Sequence, residues 1–184
     1  MTTSSLEIAI LGLLKEGPMH GYEIKQRLST TLGPFWTMSF GSLYPCLKRL
    51  RKAGFVQEQA TDIGPRRGRR KTTYQITPEG EAFFYEQLEH GAVYDTDRFK
   101  LRFAFFRYLP AESRIGLLER RKAYMQEKLE EFSESLNSAR ERIDAYSMSL
   151  IRHQTEAAEL DIRWLQGLID QERAAPEARQ ARRK

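Results

Sequence analysis

Two clusters of positive charge are the strongest candidates for chemistry in this sequence. The denser one places five cationic side chains within residues 66–71: Arg66, Arg67, Arg69, Arg70 and Lys71. The other consists of Lys48, Arg49, Arg51 and Lys52. Guanidinium and ammonium groups bind phosphates, so both clusters are candidate contacts for a polyanion. Taken singly, the first cluster is also consistent with a flexible basic loop, and the second is better explained as an ordinary solvated helix face.

Residue types that serve catalysis or metal binding show no comparable grouping. His20, His90 and His153 are far apart in the sequence and lack a metal-ligand spacing such as HExxH. Cys46 is the only cysteine, which excludes an internal disulfide, and its position on an apolar stripe predicts an unreactive thiol. The basic segment at 66–71 is followed by a predicted strand, whereas a phosphate-binding P-loop is followed by a helix. We therefore predict that the protein is not an enzyme and has no cofactor or metal.

The basic clusters lie on elements that hydrophobic periodicity and turn residues predict for the first half of the chain. The predicted helices are Leu6–Lys15, His20–Thr31, Ser39–Ala53 and Pro78–Glu89, and the predicted strands are Phe55–Thr61 and Lys71–Thr77. In the third helix the apolar residues Leu43, Cys46, Leu47 and Leu50 recur at helical spacing, and the basic residues occupy the opposite face. Three helices followed by a hairpin with a basic tip are the layout of a winged helix.

A winged helix with this charge pattern is suited to double-stranded DNA. A helix about 10–12 Å wide fits the major groove, which is about 12 Å wide. Arginines on the hairpin can lie along the phosphates or enter the adjacent minor groove. Because the two basic clusters occupy the two positions that a winged helix presents to DNA, we favour DNA binding over the separate explanations of each cluster.

The sequence allows two starts for the third helix, and they differ in where they place Pro45. Proline has no backbone N–H, so it is well placed within the first turn if Ser42 is the N-cap. If the helix begins at Ser39, one hydrogen bond is missing and a slight bend is expected.

The second half of the sequence reads as helix from Asp95 onward, with an aromatic segment at Arg98–Leu109 and a long helix from about Ala111. Apolar residues in the long helix form a heptad seam in which Lys122 is the one polar member. The seam consists of Leu118, Lys122, Met125, Leu129, Phe132, Leu136, Ala139, Ile143, Tyr146 and Leu150. One helix cannot bury such a seam, so we predict a coiled-coil-like homodimer. The alternative is packing against a final helix at Gln154–Gln171, whose apolar side carries Ala157, Leu160, Trp164, Leu165 and Leu168. Whether the chain turns back near Ser147–Ser149 is left open.

Domain boundaries follow from these elements. We expect a winged-helix DNA-binding domain at residues 1–90, a helical dimerisation domain at 91–173 and a basic, disordered tail at 174–184. The apolar stretch Ile8–Leu14 is too short to span a bilayer. It has no basic segment before it and no cleavage-type site after it, so the chain is expected to be a cytoplasmic protein.

Three stretches of the first half, in order and at fitting spacing, resemble the PadR family of winged-helix transcriptional regulators. They are LEIAILGLLKEGPMHGYEIKQRL, GSLYPCLKRLRKAGFV and RRKTTYQITPEGEAFF, and the resemblance covers about residues 5–90. The later stretches FKLRFAFFRYLP and AAELDIRWLQGLID are similar to the helical C-terminal domain of the family's longer, virulence-activator-like branch. Small departures are Ser42 in place of the usual threonine, Cys46 in place of an apolar residue, and an unusually arginine-rich hairpin.

The resemblance implies a homodimer that binds an inverted-repeat operator, usually as a repressor and often released by a small effector. It implies that Ser39, Ser42, Tyr44, Lys48 and Arg49 face the major groove. It also implies that Arg66, Arg67, Arg69, Arg70 and Lys71 face phosphates or the minor groove. Base reading is expected mainly from Ser42, Tyr44 and Lys48 near the start of the helix. The dimer contacts expected from the seam and the final helix are Leu118, Met125, Leu129, Phe132, Leu136, Ile143, Trp164, Leu165 and Leu168.

Two expectations remain weighed against alternatives. Phe99, Phe103, Phe106 and Trp164 could line a pocket for a small aromatic effector, because aromatic rings stack on planar ligands. Core packing is the simpler explanation for each of these residues taken singly. The alternative to an operator-specific regulator is a winged-helix adaptor that binds protein or structured RNA.

Overall fold

The computed structural model describes residues 4–33, 40–61, 71–90, 94–139 and 144–181. The chain divides into two compact units, residues 1–109 and 110–184. The division therefore lies after the aromatic segment, and not at the boundary near residue 90 that the sequence indicated. None of the described helices is long and apolar enough to cross a membrane.

The first unit has the mixed helix and strand order that the sequence predicted. Its elements are α1 (Ser5–Leu14), β1 (Met19–His20), α2 (Gly21–Leu32), α3 (Phe40–Lys52), β2 (Val56–Thr61), β3 (Lys71–Ile76), α4 (Pro78–His90), α5 (Thr96–Phe103) and a 3-10 helix (Phe106–Tyr108). The three strands form one antiparallel sheet in the order β1-β3-β2. This winged-helix architecture confirms the predicted fold class, while the two-residue β1 was missed because so short a strand has no periodicity.

The central element is α1, which is buried from Ile8 to Leu14 and packs against α2, α3 and α4. Its start is fixed by a capping box. The Ser4 hydroxyl accepts a hydrogen bond from the backbone N–H of Glu7, and the Glu7 carboxylate accepts one from the backbone N–H of Ser4. Because the helix is apolar nearly all round, it can be covered by other helices on several sides. This confirms the prediction of a central core helix.

The hairpin of β2 and β3, here called the wing, leads directly into α4. Its register pairs Val56 with Ile76 at one end and Thr61 with Lys71 at the other. The Thr77 hydroxyl then caps α4 by accepting from the N–H of Gly80, and it donates to the Gly54 carbonyl at 2.6 Å. Gly54 itself has a φ of 78°, the left-handed conformation that commonly ends a helix such as α3.

The aromatic segment differs from the single helix expected at Arg98–Leu109. The α-helix α5 ends at Phe103 and is followed by the short 3-10 helix. Leu109 is extended, with φ −93° and ψ 150°, because the residue before a proline is disfavoured in the α conformation. Phe105, between the two helices, is fully buried against Gly12 of α1, which ties this segment to the first unit.

The second unit is a helical hairpin of α6 (Ala111–Ala139) and α7 (Ala145–Ala181). Two contacts show that the helices are antiparallel, because the later residue of α6 meets the earlier residue of α7: the Arg114 guanidinium lies 2.5 Å from Glu172, and Lys122 Nζ lies 2.6 Å from Gln166 Oε1. The chain therefore turns back between Ala139 and Asp144, which settles the alternative left open by the sequence.

Asp144 marks the start of the second helix of this hairpin. Its carboxylate accepts hydrogen bonds from the backbone N–H groups of Tyr146 and Ser147 and from the Ser147 hydroxyl. A new capped helix start at this point means that the seam predicted from Leu118 to Leu150 is not one continuous stripe. Tyr146 and Leu150 belong to α7, and Ile143 lies outside the described residues.

The expected disordered tail also differs from the structure. Helix α7 continues through Pro176 to Ala181, and residues 182–184 lie outside the described part of the chain. Alanine, glutamate, glutamine and arginine dominate this stretch, and all four are strong helix formers.

Candidate nucleic-acid interface

Helix α3 has one buried and one exposed face, as its residue spacing predicted. Leu43, Cys46, Leu47 and Leu50 are at most 2% exposed and pack into the core. The exposed face carries Ser42, Tyr44, Pro45, Lys48, Arg49, Arg51 and Lys52. Of the residues expected to contact DNA on this helix, the structure therefore presents Ser42, Tyr44, Lys48 and Arg49 together on one solvent-facing surface. Ser39 lies outside the described residues.

The helix begins at Phe40, so Pro45 lies inside it and not within a first turn capped by Ser42. Proline has no N–H to donate to the carbonyl four residues earlier, that of Gly41. The missing hydrogen bond is at the end of α3 that carries Ser42 and Tyr44. The structure therefore agrees with the earlier start near Ser39, and not with a start capped by Ser42.

Two of the cations on α3 are held by carboxylates of neighbouring elements. Arg49 Nε lies 3.1 Å from Glu7 Oε1 of α1, and hydrogen bonding to Glu7 raises the pKa of Arg49. Arg51 Nη1 lies 2.6 Å from Glu58 Oε2 of β2. Both pairs are largely exposed, so each contributes little to stability and chiefly fixes the direction of an arginine side chain. The sequence gave no sign of the first pair, because its partners are 42 residues apart.

Lys48 differs from these arginines because it has no carboxylate partner within the described residues, and neither has Lys52. An exposed ammonium group without an internal partner is available to a ligand and need not first break an ion pair. Among the cations of α3, Lys48 lies nearest the start of the helix. It is therefore the best placed of them to enter a groove.

The base of the wing is anchored to the helices, and its basic tip is outside the described residues. His20 Nδ1 lies 3.1 Å from the Thr72 carbonyl oxygen and 3.2 Å from Thr73 Oγ1. The backbone of Lys71 pairs with that of Thr61 at the far end of the described hairpin. Arg66, Arg67, Arg69 and Arg70 all fall in the undescribed range 62–70.

Cys46 carries the only thiol of the sequence, and its surroundings suppress the reactivity of that thiol. The side chain is fully buried, and this burial raises the pKa of the thiol to about 12. A thiol with so high a pKa carries almost no thiolate at neutral pH, so the group is unreactive. No group of histidine, cysteine or carboxylate side chains suited to a metal ion occurs among the described residues.

Sequence comparison places this surface in a family. Residues 10–86, which include α2, α3 and the wing, match the Transcriptional regulator PadR-like family. The negative transcriptional regulator PadR of Bacillus subtilis (strain 168) is 31% identical over 133 residues, which cover 71% of this chain and 72% of that protein. The chain belongs to the PadR-like family of transcriptional regulators.

Solved structures of the PadR-like family are similar to the chain along most of its length. Crystal structures of Bacillus subtilis PadR in complex with operator DNA and with p-coumaric acid have TM-scores of 0.45 and 0.43 and sequence identities of 25% and 24%. Each comparison covers 92% of this chain and 99% of the other. The family assignment rests on the sequence matches.

The aromatic residues expected to line an effector pocket are mostly core residues of the first unit. Phe103 contacts Phe99 and Phe106, with ring centroids 6.3 and 5.3 Å apart. Phe99 is 2% exposed and Phe106 is 5% exposed. The fourth predicted member, Trp164, lies on α7 in the second unit.

The residues expected at a dimer interface fall into two groups in the second unit, which lies outside the PadR-like match at 10–86. Leu118 and Leu165 are 1% exposed and are already buried within the α6–α7 hairpin. Met125, Leu129, Phe132, Leu136 and Leu168 are partly buried. Tyr146, Leu150, Leu160 and Trp164 are the exposed large apolar residues of α7, at 89%, 57%, 60% and 41%.

The four exposed residues of α7 share one side of the helix. At about 100° per residue, their positions fall within about 80° of one another around the helix axis. The sequence divided this stripe between two predicted helices, because the break was sought near Ser147–Ser149. With α7 starting at Ala145, the two halves form a single surface, here called the α7 face.

Proposed function

We propose that this protein is a homodimeric, sequence-specific DNA-binding repressor that acts in the cytoplasm. Helix α3 enters the major groove of an operator, and the wing contacts the flanking phosphates. The observation that carries the proposal is the exposed face of α3, where Lys48 has no carboxylate partner among the described residues, in a chain that belongs to the PadR-like family. A relative in that family is a negative transcriptional regulator, and one of its crystal structures is a complex with operator DNA.

The contacts on α3 divide into two kinds in this proposal. Ser42, Tyr44 and Lys48 read base edges, because they are exposed near the start of the helix. Arg49 is held by Glu7 and serves mainly as a contact to a phosphate. The remaining contacts also position the protein on the DNA backbone. They are those of Ser39, Arg66, Arg67, Arg69, Arg70 and Lys71.

The α7 face supports the proposed homodimer. A single-layer hairpin that leaves Tyr146, Leu150, Leu160 and Trp164 exposed has an apolar surface to bury, and a second copy of the same hairpin can cover it. A two-fold symmetric dimer presents its two α3 helices to an inverted repeat. The half-sites are then expected about 34–36 Å apart, or one helical turn of DNA.

An aromatic effector is a further part of the proposal. Its support is the aromatic segment of the first unit, together with the relative whose crystal structure contains p-coumaric acid. Because Phe99 and Phe106 are almost fully buried, a ligand can reach them only if the segment rearranges. Such a rearrangement gives the ligand different affinities for the free and DNA-bound states, which is the requirement for release.

In vitro selection from random duplex DNA tests the proposed function directly. The purified protein should enrich an inverted repeat, and the selected duplex should outcompete random duplex by about 10³-fold or more at physiological salt. Enrichment of single half-sites would remove the dimer from the proposal. No enrichment over random DNA would remove the regulator itself and favour the adaptor.

A further inference from the structure

Gly21, the first residue of α2, has no backbone reason to be glycine. Among the described glycines, positive φ angles occur at Gly17, Gly33 and Gly54, and not at Gly21. Its conformation is therefore open to any residue. Glycine is also the poorer choice within a helix, by roughly 0.5–1 kcal/mol relative to alanine. Something other than the backbone must account for the missing side chain.

The space that a side chain would need at Gly21 is occupied by the ring of Tyr44. A Cβ atom built on Gly21 would lie 3.0 Å from both Cε1 and Oη of Tyr44, and 3.2 Å from its Cζ. These distances are shorter than the optimal separation of nonbonded carbon atoms, about 3.5–4.0 Å. Gly21 is buried, whereas Tyr44 is 48% exposed. An added methyl group would therefore push the ring outward, toward solvent.

The wing also lies close to the start of α2. Tyr74 of β3 is 8% exposed, and its pKa is raised by burial and then by the nearby Glu58 and Tyr44. In the sheet, Met19 pairs with Tyr74, and His20 directly precedes Gly21. The Tyr44 ring thus lies against the start of α2, with its other side open to solvent. Its contact with Gly21 is a contact with an element other than α3.

We propose that Gly21 is a positioning residue: by leaving room for the Tyr44 ring at the start of α2, it sets the direction in which Tyr44 is presented to DNA. The inference rests on the proposed function for its DNA part, since Tyr44 is one of the base-reading residues named there. Gly21 itself is not expected to contact DNA. Its contact with Tyr44 also links α2 to α3.

The test is a double-mutant cycle of Gly21→Ala and Tyr44→Ala, measured with the duplex obtained by selection. Gly21→Ala should weaken binding about tenfold, the effect expected when one good base contact is displaced. In the Tyr44→Ala background, the same change should have almost no effect on affinity, because its target is gone. Gly116→Ala in α6 is the matched control, since the nearest atom to its added Cβ is Arg120 Nη1 at 3.5 Å. This control should bind as the unaltered protein does.

A measurement without DNA separates failure of this proposal from failure of the proposed function. The ¹⁹F resonance of 3-fluorotyrosine at position 44, assigned by its loss in Tyr44→Phe, should shift in Gly21→Ala and stay in place in Gly116→Ala. If the unaltered protein selects no duplex, the DNA part falls with the proposed function, and the ¹⁹F shift still decides whether Gly21 places the ring.

Three results would overturn the proposal. One is a Gly21→Ala protein with unchanged affinity and an unshifted resonance. Another is an equal loss of affinity from Gly21→Ala with and without Tyr44. If Gly21→Ala alone fails to fold, the double variant should fold, because the obstructing ring is absent; a double variant that also fails to fold is the third.

Discussion

Four helical glycines show that the two units of this protein are packed differently. In the first unit, a Cβ on Gly12 would lie 2.5 Å from the Phe105 ring, and one on Gly80 would overlap the carbonyl oxygen of Phe55. In the second unit, the nearest atom to a Cβ on Gly116 is 3.5 Å away, and Gly167 has nothing within 4 Å. The first unit is packed on several sides of α1, so backbones approach closely. The second is a two-helix layer with one face left open.

The two units differ in how fully they bury their own apolar residues. The first unit closes its own core around α1, and its exposed basic face is left free for a ligand. The hairpin of α6 and α7 buries Leu118 and Leu165 but leaves the α7 face exposed. A layer of two helices cannot cover both sides of either helix, and in the proposed homodimer a second copy of the chain covers the α7 face.

The largest expected effect is that of filling a close approach in the first unit. Gly80→Ala should lower the free energy of unfolding by about 3 kcal/mol, the upper part of the usual overpacking range, because the obstructing atom is backbone. Gly167→Ala should leave it unchanged or raise it by up to about 1 kcal/mol through helix propensity. Urea denaturation of both variants checks the difference. Equal effects would mean that the two units are packed alike.

The second prediction concerns the open face. Leu160→Lys should raise the dimer dissociation constant by at least about 30-fold, since a central apolar contact is typically worth about 2 kcal/mol or more. Glu159→Lys, the neighbouring exposed residue on another side of α7, is the control and should have little effect. Sedimentation velocity gives the oligomeric state. A Leu160→Lys protein that stays dimeric would assign the interface to a different surface.

A third prediction separates base reading from backbone contact within the first unit. Lys48→Ala should change the base preference of the selected duplex, with a cost of about 1–3 kcal/mol at one position. Arg67→Ala combined with Arg69→Ala should weaken binding to all duplexes and reduce the salt dependence by about two ions or fewer, at about 0.9 per phosphate contact. Competition binding across salt concentrations distinguishes the two. A uniform loss with Lys48→Ala would make Lys48 a phosphate contact.

The smallest expected effect lies at the start of α7. Hydrogen bonds from the Ser147 hydroxyl, and then from backbone N–H groups, lower the pKa of Asp144. A lowered pKa in the folded state stabilises the fold above the unfolded pKa, about 3.9, and this contribution is lost as the pH falls through the folded value. Ser147→Ala should therefore raise the pKa of Asp144 toward its ordinary value, as an NMR titration would detect. Ser149→Ala, two residues further along the helix, should leave the titration unchanged.

Local patterns predicted most elements of the first unit. The stripe Leu43, Cys46, Leu47 and Leu50 and the cap at Thr77 depend on spacing within a few residues, so the sequence carried them. The position of Pro45 within α3 and the end of α5 at Phe103 were less determined, because capping there competes with packing. The split between α6 and α7 was also open, since neither glycine nor proline marks it.

The candidate site was predicted in part. The exposed face of α3 followed from its apolar stripe, and Ser42, Tyr44, Lys48 and Arg49 all lie on it. The sequence did not predict which cations form ion pairs, because Glu7 and Arg49 come together only when α1 and α3 pack. The roles of Arg66, Arg67, Arg69 and Arg70 in the wing remain predictions.

By itself, the sequence determined the winged-helix order, the basic face of α3 and the family. Each of these depends on residue type and short-range spacing. Only the tertiary structure decided that Glu7 holds Arg49, that Gly21 makes room for Tyr44, and that Tyr146 and Trp164 share one face. These are relations between residues distant in the chain or in helices whose ends the sequence left open. They come into being when packing fixes the direction of side chains.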